Sequence, residues 1–90
     1  MSSSGKESLL EFPVSFPIKI MGREGASFRQ TAIALVERHT GKLEDRAITE
    51  AASRKGNFVS ITVTIAAQSQ AQLDAIYRDL GDHEDVLVAL

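Results

Sequence analysis

The sequence predicts an α+β domain of order β-α-β-β-α-β, with two helices packed on one face of a four-stranded antiparallel sheet. Three observations predict it. Phe16 to Met21 and Phe58 to Ala66 alternate apolar and polar residues with the period of two that a half-buried strand requires. Two other segments, Ser27 to about Thr40 and Ser69 to Gly81, place apolar residues at helical spacing behind a capping-box signature. Val86 to Leu90 is a short apolar run that reads as a last strand.

In the first strand Phe16, Ile18 and Ile20 share one side, and Pro17, Lys19 and Met21 share the other. Gly22-Arg23-Glu24-Gly25 breaks the alternation. Ser27 with Gln30 then forms a capping box, followed by Phe28, Ala32, Leu35 and Val36 on one helical face. Gly41 is the expected stop, and Arg38 and His39 sit near the negative end of the helix, where His39 reads as a cap. Glu44 to Ala52 alternates weakly and carries four charged residues, which suits an edge strand. Ser53-Arg54-Lys55-Gly56-Asn57 is turn chemistry, with Gly56 and Asn57 tolerant of positive φ.

The third strand directs Val59, Ile61, Val63 and Ile65 one way and Phe58, Ser60, Thr62 and Thr64 the other. Ser69 with Gln72 repeats the capping box, Leu73, Ile76, Tyr77 and Leu80 form the apolar stripe, and Gly81 is read as the end of that helix. Two right-handed βαβ crossovers joined by a hairpin make the ferredoxin-like split βαβ plait, with spatial strand order 4-1-3-2. The charged second strand is then one edge and the apolar fourth strand the other. An apolar edge needs a cover, either a partner or the segment Leu9-Leu10-Glu11-Phe12-Pro13, which can lie across an open end of the core.

Ninety residues with 43% hydrophobic content suit one domain, expected over residues 9–90 behind a flexible tail at 1–8. The absence of cysteine removes disulfides, thiolate zinc sites and thiol nucleophiles. His39 and His83 are too far apart in sequence to make a metal motif, so neither a metal nor another cofactor is expected. A net charge of −2 gives no positive field for nucleic acid. The N-terminal residues lack the apolar core of a secretory signal, and no window reaches the ~18 apolar residues of a membrane span. A cytoplasmic protein with no membrane contact is expected.

Three stretches invite a chemical reading. Gly22, Arg23, Gly25, Ser27 and Arg29 surround the start of the first helix, where free N–H groups and the helix dipole favour an anion. Against this, the glycines also make a tight turn, the arginines can be solvated, and Glu24 repels the same anion. Gly22-Arg23, Gly25 and Phe28-Arg29 resemble the phosphate cradle of acylphosphatases, which would make Arg29 the phosphate clamp of a hydrolase. Glu44 to Ala52 lacks the asparagine that this likeness requires to position water, so catalysis is not expected.

Lys55 to Ile61 resembles a shortened RNA-binding RNP1 stretch, but Phe58 is its one aromatic and strand one adds none on that face. Asp79, Asp82, Glu84 and Asp85 around His83 lack EF-hand spacing and read as a solvated turn. The hydroxyl stripe Ser60, Thr62 and Thr64 has no neighbouring base and reads as strand-forming.

Leu9-Leu10-Glu11-Phe12-Pro13 running into Lys19-Ile20-Met21-Gly22, then Ser53 to Asn57, then Tyr77-Arg78-Asp79-Leu80-Gly81-Asp82, together resemble the YbeD family of small bacterial proteins over residues 9–90. The resemblance implies the same plait, similar to the regulatory ACT domains, and no established activity. The function expected is a regulatory or adaptor module without catalysis. It would bind another protein, or itself, through Met21, Phe58, Leu87 and Val88, or a small anionic metabolite at Gly22 to Arg29.

Overall fold

In a computed structural model, which describes residues 10–52 and 55–90, the elements follow the expected order. They are β1 (Val14–Arg23), α1 (Ala26–Thr40), a 3-10 turn (Asp45–Ala47), β2 (Ile48–Ala52), β3 (Phe58–Ala67), α2 (Gln70–Asp82) and β4 (Val86–Ala89). The sheet runs β2-β3-β1-β4 with every neighbouring pair antiparallel, which is the ferredoxin-like plait. The tail at 1–8, and Ser53 and Arg54 of the hairpin, lie outside the described residues.

The two cleanly alternating strands pair along their full length, from Val14 opposite Ala67 to Arg23 opposite Phe58. Opposed residues share a face, so this register puts Ile18 against Val63 and Ile20 against Ile61, all four without solvent exposure. Phe28, Ala32 and Val36 of α1 and Leu73, Ile76 and Leu80 of α2 close over them. Full burial of a side chain of this kind stabilises by about 1.5–3 kcal/mol, so the paired strands and the two helical stripes carry most of the fold. Leu10 and Phe12 are partly buried against the same core.

Helix α2 starts as its sequence implies: Ser69 Oγ accepts from the Gln72 N–H at 3.0 Å. The Gln72 side chain returns to the Gln68 N–H at 2.7 Å and also donates to the His39 carbonyl at 2.9 Å, which ties the start of α2 to the end of α1. Gly41, at φ 81°, ends α1 by donating to the Glu37 carbonyl.

Four local expectations are corrected. The first capping box is not made, because α1 begins at Ala26 with Gly25 at its N-cap and no side chain accepting from the first turn. The exit from β1 sets that start: the Glu24 N–H donates to the Asn57 carbonyl and the Phe28 N–H to the Gly25 carbonyl. The second strand spans only Ile48–Ala52, since its ladder with β3 begins at Ile48 opposite Val63 and Asp45–Ala47 coils into the 3-10 turn.

Gly81 does not end α2. The helix continues through Asp82, and His83 closes it in an extended conformation, its N–H on the Leu80 carbonyl and its own carbonyl accepting from Val86. No left-handed residue is needed there. Finally, the His39 ring does not cap its own helix but bonds the carboxylate of Asp79 on α2.

Candidate functional site

Two surfaces emerge from the residues singled out in the sequence. The first lies where β1 ends and α1 begins. Gly22 is buried there, and a Cβ on it would stand 2.4 Å from the Phe28 ring and 2.7 Å from the Asp85 carbonyl. Its role is therefore close packing between β1, α1 and the turn before β4. Above it opens a cleft of about 310 Å³ with Arg23, Gly25 and Ser27 on its walls, together with Glu24, Glu84 and Asp85.

Arg29 is not brought to this cleft. Its Nε donates to Glu50 Oε1 on β2 at 3.0 Å, with both side chains about half exposed. The cleft is bordered by three acidic residues, and the one arginine on its wall, Arg23, carries its guanidinium to the Phe58 ring. An anion entering it meets more repulsion than attraction. The neighbouring acidic turn is organised locally, with His83 Nδ1 accepting from the Asp85 N–H at 3.1 Å.

The second surface is the sheet face turned away from the helices. Met21 of β1 lies opposite Ser60 of β3 on one side and Val88 of β4 on the other, so it occupies the middle of that face. Phe58 is 39% exposed and Val88 42% exposed, far above the core residues. The register between β1 and β4 slips between Met21 and Gly22, which leaves Leu87 as the extra residue of a bulge. Leu87 consequently lines the cleft. Of the four residues expected to meet a partner, the structure groups Met21, Phe58 and Val88, and sends Leu87 to the adjoining hollow.

At the far end of the helix layer, His39 and Asp79 join α1 to α2. The hydrogen bond from His39 holds the Asp79 carboxyl below its ordinary value, aided by attraction to His39, Arg38 and Arg78, while desolvation opposes it. Burial pushes the Tyr77 hydroxyl up. Among the described residues no group of three or more His, Asp and Glu side chains is placed to hold a metal, and no helix is long and apolar enough to cross a membrane.

Residues 7–90 match the family described as Protein of unknown function (DUF493). The chain belongs to the DUF493 family. It is 40% identical over 85 residues to a UPF0250 protein of Nitrosomonas europaea, covering 94% of this chain and 98% of that one. It is 42% identical over 88 residues to a UPF0250 protein of Paraburkholderia phytofirmans, covering 98% and 99% respectively. A UPF0250 protein of Neisseria gonorrhoeae is 42% identical over 85 residues, covering 94% and 93%. The YbeD-like resemblance read from the sequence is thereby shown, and the names of these relatives carry no reaction or ligand.

In this DUF493 chain the open face also holds Leu90 and Lys19, which the sequence reading did not select, and Arg23, which it assigned to the loop before the first helix. Leu90 is 65% exposed and exchanges two backbone hydrogen bonds with Lys19, at 3.0 and 2.8 Å, which places it beside that lysine. Arg23 belongs to β1 and sits 5.9 Å from the centre of the Phe58 ring, a cation–π arrangement. The alternation Lys19, Met21, Arg23 was the available signal, but the glycines after Met21 made the strand look two residues shorter at that end than it is.

Proposed function

We propose that this DUF493 protein acts by binding another polypeptide, as a regulatory or adaptor module, through its open sheet face and β4. The observation that carries this reading is the apolar strip of exposed Phe58, Val88 and Leu90 around half-buried Met21, which crosses three adjacent strands and ends at β4, an edge strand among the described residues. Contiguous apolar surface beside an unpaired strand favours contact with protein, since side chains bury against the face while the edge offers backbone donors and acceptors. Work in a reducing compartment such as the cytoplasm fits the lack of cysteine. A small anionic metabolite in the cleft is less well supported, because Glu24, Glu84 and Asp85 face it.

Site-specific photo-crosslinking in cells tests the proposal. A photoreactive amino acid at Val88 or at Thr62 should yield adducts with a polypeptide, whereas one at the exposed Asp74 of α2 should yield none. Adducts formed equally from Asp74, or from no sheet position, would overturn it.

A further inference from the structure

Alternate residues of β1 from Ser15 to Arg23 and of β3 from Phe58 to Ala66 face away from the helices, as do Thr49 and Ala51 of β2 and Val88 of β4. Among these positions are two cations, Lys19 and Arg23, and no carboxylate. The acidic residues of the described elements lie elsewhere. Glu50 faces the helix side, where it holds Arg29, and Asp79 lies between the helices on His39. A chain with a net charge of −2 therefore carries one sheet face that is positive.

Lys19 and Arg23 also differ from Arg29 and Arg46, which are spent on Glu50 and Glu44. Neither Lys19 nor Arg23 has an ion-pair partner among the described residues, and the Phe58 ring stands beside the Arg23 guanidinium. Beside Lys19 is a shallow dent of about 150 Å³ whose walls include Met21, Ala51, Ser60 and Phe58, the ring that Arg23 approaches. It has room for one aliphatic side chain. The cations are four residues apart on a strand, roughly 13 Å at about 3.3 Å per residue, which is the distance between positions i and i+4 of any extended chain.

We propose that the open sheet face recognises an extended acidic polypeptide segment of the pattern acid-x-apolar-x-acid, its apolar side chain seated in the dent at Met21 and Phe58 and its carboxylates on Lys19 and Arg23. This specification of the partner rests on the binding function proposed above. Positions i, i+2 and i+4 of an extended segment point the same way, so all three groups reach the sheet together. The charges steer the segment and set its register, and the apolar anchor supplies the desolvated contact.

The test is an amide chemical-shift titration of the full chain with three probes: a peptide containing Glu-Ser-Leu-Ser-Glu, its Lys-Ser-Leu-Ser-Lys counterpart, and an oligothymidine. The Glu peptide should shift the amides of Lys19, Met21 and Ser60 and bind at least about tenfold more tightly than the Lys peptide. The combined Lys19→Glu and Arg23→Glu substitutions, both at exposed positions, should remove that preference while leaving the spectrum dispersed. Equal binding of both peptides at these amides would overturn the acidic partner and spare the binding face. Shifts confined to α1 and α2 would overturn both readings. Binding of oligothymidine alone, or no shift with any probe at millimolar concentration, would also overturn the inference.

Discussion

The imidazole of His39, in the last turn of α1, bonds the carboxylate of Asp79 on α2, and the Gln72 side chain bonds the carbonyl of that same histidine. One residue of α1 thus takes a polar tie to the first turn of α2, at Gln72, and another to its last turn, at Asp79. The buried residues of both helices are apolar, and apolar packing carries no direction of its own. Directional bonds from His39 to both turns supply the angular constraint that such packing lacks.

The pH dependence of stability follows from Asp79. Its carboxyl is held below the ordinary value of 3.8, chiefly by the hydrogen bond from His39. The folded state therefore binds its proton less readily than the unfolded chain, and the stabilisation is complete above that ordinary value and lost as pH falls through the lowered one. Thermal unfolding of wild type and Asp79→Asn should show a wild-type advantage at about pH 6 that disappears near pH 2. A gap of constant size across that range would contradict the assignment.

Gly22 and Gly25 should respond oppositely to an added side chain. Gly22→Ala drives a Cβ into the Phe28 ring and the Asp85 backbone, neither of which is the loose end of a flexible side chain. A loss of about 1–3 kcal/mol is expected, seen as a drop in Tm of several degrees. Gly25 has open space around its Cβ position and stands at an N-cap without a side-chain acceptor. Gly25→Ser should raise stability by a few tenths of a kcal/mol in denaturant titrations.

Arg29 provides a functional control. Its guanidinium is held by Glu50 outside the cleft, so incubation with an acyl phosphate should give background turnover, unchanged in Arg29→Ala. The pair is half exposed, and a double-mutant cycle with Glu50→Ala should return about 0.2–1 kcal/mol of coupling. A large coupling, or turnover that depends on Arg29, would require the phosphate-cradle likeness to be taken up again.

The parts of the fold that were legible are those where local pattern and global packing agree. Ile18, Ile20, Ile61 and Val63 announce their face by simple alternation, and Ser69 announces the start of α2 because nothing nearby competes for its hydroxyl. The capping reading at Ser27 failed where a tertiary contact outweighed local chemistry: the approach of Gly22 to Phe28 and the bond from Glu24 to Asn57 start the helix one residue before the serine. Gly81 misled for a related reason, since the turn built on His83 ends α2 two residues further on.

The partner of His39 could not be read from sequence, because an inter-helix bond leaves no trace in either helix's own spacing. At the site, Met21 and Phe58 followed from strand parity. Leu87 parted from them because a bulge shifts parity by one, and nothing in a run of apolar residues marks where that happens.

Pro17 has a consequence for what can pair with one flank of β1. Lys19 exchanges both of its backbone hydrogen bonds with Leu90, so the backbone groups of alternate β1 residues, the nitrogen of Pro17 included, point to the same flank. Among the described residues that flank of β1 has no neighbouring strand beyond Leu90. A stray chain that tried to prolong β4 along it would come, two residues past Lys19, to a ring carbon where the ladder needs a proton. Pro17 thereby withholds one ladder donor from any strand that docks on this stretch of β1.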